Sequence, residues 1–240
     1  MILSHRHKFI FLKTIKTAGT SIEAALSEIC GPDDIITPFS PENDEFRSGR
    51  APQNYRLNHP LVPKRPLLRR LLRRPERYYH TSVGFYEHMP AWRVKAYVGD
   101  DIWNSYFKFA FERNPWDRQL SYYYYKTRKL KRRPSFQSFM RSRRKAFVEN
   151  FSLYTIDGDV AVDFLGRYEN LNADFHTALK RIGVTSPPEL PKANISSNRD
   201  KKSAYQSQYD GDLKALVEDW YQPEIDALNY AFEEPGATRR

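Results

Sequence analysis

Apolar and polar positions along the chain fall into short runs of two different periods. Phe9–Leu12 is four apolar residues in a row directly before a polar turn, which predicts a short strand buried on both faces. Beyond the turn, Ile22, Ala25, Leu26 and Ile29 share one face of a predicted helix, Ile22–Ile29. Thr20 or Ser21 stands where that helix needs a cap, and Glu23 follows Thr20 at capping-box spacing. The same unit recurs. Phe107–Glu112 predicts a second strand, Arg113–Trp116 a turn, and residues from about Asp117 to Thr127 a helix. Pro115 suits the entry to that helix because its missing N–H has no partner there. Phe164–Tyr168 reads as a third strand, and Leu171, Phe175, Leu179 and Ile182 line one face of a helix. Leu213, Leu216, Val217 and Trp220, then Ile225 and Leu228, form a last helical region with a break at Pro223.

The intervening segments are less regular. Gly31–Pro66 is rich in Pro, Asn, Asp and Ser and reads as irregular surface. Pro66–Arg74 places Leu68, Leu71 and Leu72 at helical spacing among four arginines, a short cationic amphipathic helix ended by Pro75. Val83–Met89 is ambiguous, while Ser135–Met140 and Ala146–Leu153 suit short helices. Pro187, Pro188 and Pro191 forbid regular structure before Asn194. With no repeat and no linker, residues 1–240 are expected to form one domain. Strands alternating with helices favour α/β with a mainly parallel sheet.

Composition adds aromatic bulk and a local charge imbalance. Apolar residues are 40% of the 240-residue chain, but 16 Tyr, 15 Phe and 4 Trp supply large faces for a core. Cys30, the single cysteine, excludes an intrachain disulfide and a cysteine-based metal cluster. The amino terminus resembles neither a signal peptide nor a membrane span, so a soluble cytoplasmic protein is expected, or a lumenal one if a targeting segment has been removed. The net charge is +10. Lys64–Arg77 and Lys126–Lys145 hold 17 of the 39 basic residues and one of the 29 acidic ones, leaving 22 against 28 elsewhere. The excess is therefore local and faces something anionic: nucleic acid, lipid, a charged glycan or a phosphorylated ligand.

Lys13–Ser21 follows a strand and opens a helix, the setting of a phosphate cradle. Gly19 permits close backbone approach, the first N–H groups of the helix point outward, and its dipole favours an anion. Thr20 and Ser21 add hydroxyl donors and Lys16 a compact positive charge. An ordinary capped turn has the same outline. The lysine precedes the glycine, so the Walker order is absent, which argues against a standard ATPase or GTPase.

Ile10–Ile22 and Phe109–Ser121 resemble the two donor-binding motifs of sulfotransferases that use 3′-phosphoadenosine 5′-phosphosulfate, in particular the carbohydrate branch with the heparan-sulfate 2-O-sulfotransferase-like enzymes and small bacterial relatives. The resemblance implies an α/β, P-loop-like three-layer fold with a mainly parallel central sheet flanked by helices. It implies that Lys16, Thr17, Ala18, Gly19, Thr20 and Ser21, with Lys13 beside them, hold the 5′ phosphosulfate. Arg113 and Ser121 would then hold the 3′ phosphate. Where relatives carry proline before the lysine, this chain has Ile15. Gly166–Leu171 and Asn194–Ser196 resemble later parts of the family. Residues 31–79 and 126–163 carry little resemblance and are expected to face the acceptor.

The implied reaction is transfer of a sulfuryl group to a hydroxyl, of an anionic or neutral glycan or another acceptor, with adenosine 3′,5′-bisphosphate as product and no metal required. Lys16 would neutralise the departing oxygen and His80 would take the acceptor proton. His80 also fits a structural histidine beside Tyr78 and Tyr79; His59 and His88 are further candidates. Two other functions remain open: a P-loop-type small-molecule kinase, or a noncatalytic protein binding RNA or a membrane surface through Lys64–Arg77 and Lys126–Lys145, with residues 66–74 as the membrane-surface contact. No nucleic-acid module pattern is visible, so no nucleic acid polymer is expected as partner.

Overall fold

The computed structural model of the chain describes residues 1–39, 46–47, 49–63, 84–191 and 204–233. The predicted helix at 66–74, His80 and Asn194–Ser196 lie outside these residues. The strands are β1 (Ile2–Ser4), β2 (Phe9–Leu12), β3 (Ile35–Ile36), β4 (Phe107–Glu112), β5 (Thr155–Ile156), β6 (Asp159–Val160) and β7 (Phe164–Arg167). The helices are α1 (Gly19–Ile29), α2 (Ala91–Ser105), α3 (Pro115–Thr127), α4 (Phe136–Met140), α5 (Arg143–Ala146), α6 (Phe151–Tyr154), α7 (Leu171–Arg181) and α8 (Gly211–Leu228).

Period-two alternation inside the strands builds the middle layer. Phe9, Phe11, Phe109 and Phe111 turn to one face, where Ile22, Ala25 and Leu26 of α1 and Phe175, Ala178 and Leu179 of α7 cover them. Ile10, Leu12 and Ala110 turn to the other face and pack with Val94, Val98 and Trp103 of α2. Helices thus lie on both faces of the sheet. A third cluster joins Trp116, Leu120 and Tyr123 of α3 to Val217, Trp220 and Tyr221 of α8.

The sheet order is β3-β1-β2-β4-β7. β2–β4 and β4–β7 are parallel, but β1 is antiparallel to both β2 and β3. The sheet is therefore mixed, not mainly parallel as expected. The short turn between β1 and β2 permits only a hairpin, whereas the parallel pairs are joined by crossovers that contain helices.

Three other expectations need correction. α1 begins at Gly19 after a left-handed Ala18, with no side-chain cap; Glu23 is drawn into the interior by Lys13 instead of reaching back to Thr20. α2 has no counterpart in the predicted elements. Ala91, Val94 and Val98 carry its apolar spacing, but Gly99 (φ 78°, ψ 168°) interrupts the helix and divides the pattern. The helix expected at Ala146–Leu153 is two one-turn pieces, α5 and α6, with Phe147–Asn150 between them. The break near Pro223 is present, at Tyr221 (φ −126°, ψ 23°).

Candidate functional site

Parallel pairing sets Leu12 opposite Ala110, so the segments leaving the carboxyl ends of β2 and β4 lie side by side. Ligands of open α/β sheets bind at this edge. The Thr14 hydroxyl bonds the Phe111 carbonyl and lies 2.7 Å from the Thr17 hydroxyl, which fixes the first turn against β4. Lys16 and Ala18 both adopt left-handed backbone angles (φ 65° and 63°). Non-glycine residues enter this region at a cost, so the surrounding contacts must hold them there.

Lys13 and Lys16 occupy opposite environments. The Lys13 ammonium is buried, 2.6 Å from Glu23 Oε2 and also bonded to Glu87 Oε1. Burial alone would lower its pKa, but the two carboxylates raise it above the usual lysine value. Burial would likewise raise Glu23, yet Lys13 and the Met1 amino group hold it at about 2. The Lys13 stem runs beneath Gly19, where a Cβ would stand 2.6 Å from Lys13 Cγ.

Lys16 is half-buried and has no carboxylate within ion-pair distance among the described residues; its ammonium lies 4.6 Å from the centre of the Tyr125 ring. Burial, with the positive charges of Arg113 and Arg128, pulls its pKa down to about 8. The Thr20 and Ser21 hydroxyls make no hydrogen bond with any described residue, and the first N–H groups of α1 have no intrahelical acceptor. This set, a cation without a counterion among the described residues beside two hydroxyls that bond none of them and a helix start, fits an anionic group such as the phosphosulfate.

The second motif meets the first directly. Arg113 leaves β4, is almost fully buried, and donates from Nη1 to the Lys16 carbonyl at 3.3 Å. Its Nε and Nη2 both bond Asp117 Oδ2, at 2.8 and 2.5 Å, and the guanidinium stacks on Tyr168 at 4.0 Å. Burial would lower its pKa, but Asp117, with Tyr168 and Glu169, more than offsets that. The Asn114 side chain caps α3 by accepting from Trp116 N, while Asn114 N donates to Glu169. Ser121, two turns along α3, is buried apart from a small exposed fraction, and its hydroxyl bonds no described residue.

His80 lies outside the described residues, but His88 lies within this network. Its Nδ1 is 2.9 Å from the Lys13 carbonyl. A carbonyl only accepts, so Nδ1 carries the proton and the neutral ring presents a lone pair at Nε2. Nε2 stands 3.8 Å from Glu87 Oε1. Burial is the main cause that lowers the His88 pKa to about 4, with Glu87 acting in the opposite direction. His88 also has a left-handed backbone (φ 57°). His59 instead packs edge-on against Phe85 and accepts from Leu61 N. One contact to the turn had no sequence signal: the Asn150 side chain bonds both backbone groups of Ile15.

Among the described residues no group of three or more potential metal ligands comes together, and no helix is long and apolar enough to cross a membrane. A protein of Archaeoglobus fulgidus, described only as uncharacterized, is 41% identical over 106 residues, which covers 42% of this chain and 87% of that protein. No solved structure matches the chain. The sulfotransferase family matches residues 1–231, a span that takes in both turns, His88 and α8. The chain belongs to the sulfotransferase family, whose donor is 3′-phosphoadenosine 5′-phosphosulfate, and it is an enzyme of sulfuryl transfer.

Proposed function

We propose that this protein transfers the sulfuryl group of 3′-phosphoadenosine 5′-phosphosulfate to a carbohydrate hydroxyl, with Lys16–Ser21 and Arg113/Ser121 as the two ends of the donor site. The contact between Arg113 and the Lys16 carbonyl carries this reading, because it puts a buried guanidinium beside a cationic helix start. Lys16, the Thr17–Ser21 backbone and the Thr20 and Ser21 hydroxyls hold the 5′ end. Lys13 supports that turn from beneath through its stem under Gly19. Arg113 and Ser121 hold the 3′ phosphate, a task that suits a planar fork already fixed by Asp117. Segments 31–79 and 126–163 face the acceptor, and the basic residues of 126–145 favour a glycan that carries negative charge.

In the transfer, the acceptor oxygen forms a bond to sulfur while the bond from sulfur to the bridging oxygen breaks. The electron pair stays on that oxygen as part of adenosine 3′,5′-bisphosphate. Lys16 neutralises it, and a histidine takes the acceptor proton. Among the described residues His88 is best placed for this: its Nδ1–H is fixed by Lys13 O, its Nε2 lone pair is unprotonated at neutral pH, and Glu87 stands ready to stabilise the imidazolium. His80 is the second candidate.

Calorimetric titration with adenosine 3′,5′-bisphosphate beside ATP tests the donor assignment. Clear preference for the bisphosphate without magnesium is expected; magnesium-dependent preference for ATP would refute it. Transfer by His88→Ala and His80→Ala, assayed with labelled donor and a panel of glycans, then separates the two bases. His88→Ala should lose about a hundredfold or more of kcat while bisphosphate affinity stays within about threefold, the size of a lost minor contact. Full activity in His88→Ala with loss in His80→Ala assigns the proton to His80.

A further inference from the structure

We infer that Asn150 is a positioning residue for the donor, holding the Ile15 peptide so that Lys16 and the α1 start keep their shape; this rests on the donor assignment proposed above. Asn150 is fully buried in the non-helical stretch between α5 and α6. Its Oδ1 accepts from Ile15 N–H at 2.8 Å, and its Nδ2 donates to the Ile15 carbonyl at 3.1 Å. One amide thus satisfies both backbone groups of a residue that the sheet no longer serves, since β2 ends at Leu12. A strand neighbour would do the same for a residue inside a sheet. The next residue, Lys16, has a left-handed backbone, which needs an anchored neighbour to persist.

The clamp reaches the second motif as well. Asn150 Nδ2 lies 3.2 Å from Glu112 Oε1, and that oxygen also accepts from Arg113 N at 2.8 Å and from Arg118 Nη1 at 2.6 Å. Glu112 and Arg118 are both fully buried. Asn150 and Glu112 together therefore tie the backbone before Lys16 to the backbone of Arg113, a link between the two motifs in addition to Arg113 Nη1 and the Thr14 hydroxyl. Ile15 has the N–H that this arrangement requires; a proline there would offer none. In this chain the side chain of Asn150 supplies the constraint on the turn.

Gln119 is a matched control. It is equally buried and its amide is also bonded at both ends, to the Ala146 carbonyl at 2.8 Å and the Tyr221 hydroxyl at 2.9 Å, but neither partner belongs to the donor turn. Asn150→Ala and Gln119→Ala should lower the melting temperature by similar amounts. Asn150→Ala should in addition weaken adenosine 3′,5′-bisphosphate binding by about tenfold or more and raise the donor KM in step, given three lost hydrogen bonds. Gln119→Ala should leave affinity within about twofold, less than one hydrogen bond is worth. Equal affinity losses in the two variants, or unchanged affinity in Asn150→Ala, would reduce Asn150 to a core residue. Should Asn150→Ala not fold, Asn150→Ser is read the same way. Native-state hydrogen exchange of the unaltered protein gives a reading that needs no variant: a protected Ile15 amide is expected, and exchange at the rate of an open peptide overturns the clamp. Failure of the unaltered protein to bind the bisphosphate would instead count against the donor assignment.

Discussion

Replacing Gly19 by alanine sets two effects of opposite sign against each other. Alanine near the start of α1 removes backbone freedom from the unfolded chain, a gain of about 0.5–1 kcal/mol where the conformation allows it. Gly19 does not need a positive φ, so that gain is available. The added Cβ, however, would stand 2.6 Å from Lys13 Cγ, 3.0 Å from Cε and 3.3 Å from Cδ. A free lysine would swing aside. This one is 3% exposed and its ammonium is fixed between Glu23 and Glu87, so the stem cannot yield without loosening a buried ion pair. Overpacking of this kind costs about 1–3 kcal/mol, and separating the pair would cost more. The clash wins, with a net loss of about 1–2 kcal/mol, or a fall in Tm of about 2–8 °C for a chain of this size. Donor-product affinity should fall by about tenfold, because relief comes by shifting the helix start that faces the phosphosulfate. Gly211→Ala is the comparison: Gly211 opens α8 with nothing within 4 Å of its added Cβ, so that variant should be neutral or slightly stabilised. Differential scanning calorimetry and titration with the bisphosphate report both quantities. A Gly19→Ala protein with unchanged or raised Tm and full affinity would refute the close packing of Lys13 under the turn.

Two further outcomes follow from the charges. Arg113→Ala should weaken adenosine 3′,5′-bisphosphate about tenfold to a hundredfold, the worth of a charge-assisted pair of hydrogen bonds, and adenosine 5′-phosphate far less; equal effects on the two ligands, measured by titration, would remove Arg113 from the 3′ phosphate. Lys16, with its pKa lowered to about 8, loses its positive charge as pH rises through that value, so kcat/KM should decline with unit slope above about pH 8. Bound phosphates favour the charged form, which places the corresponding limb of kcat at higher pH. Lys16→Arg should abolish the limb because arginine stays charged, and a limb that persists in Lys16→Arg belongs to another group.

The legible part of this site is the part that is continuous along the chain. Four apolar residues before a polar turn, with apolar positions at helical spacing after it, mark the first strand–turn–helix unit, and Phe107–Glu112 with Pro115 marks the second. The roles proposed for Lys16, Ser21, Arg113 and Ser121 rest on the resemblance of the two motifs, not on periodicity. Residues whose roles depend on distant partners left no such mark. His88 meets the Lys13 carbonyl across 75 positions and Asn150 meets the Ile15 peptide across 135, in each case through a backbone group and not a side chain. Periodicity cannot encode such contacts, since the partner's side chain is irrelevant to them. Glu23 shows the same limit from the other side. Its spacing from Thr20 suits a capping box, yet a buried Lys13 ammonium outweighs a neutral backbone N–H as a partner, and the carboxylate turns inward. That choice shapes the turn. With Glu23 and Glu87 holding Lys13 inside, Lys16 is left as the turn's cation without a counterion among the described residues. The left-handed Lys16 and Ala18 then depend on the Thr14 and Asn150 contacts from the two sides. On the donor reading proposed above, the remote side chains determine which of the turn's two lysines is available: Lys13 is held by Glu23 and Glu87, and Lys16 by no described carboxylate.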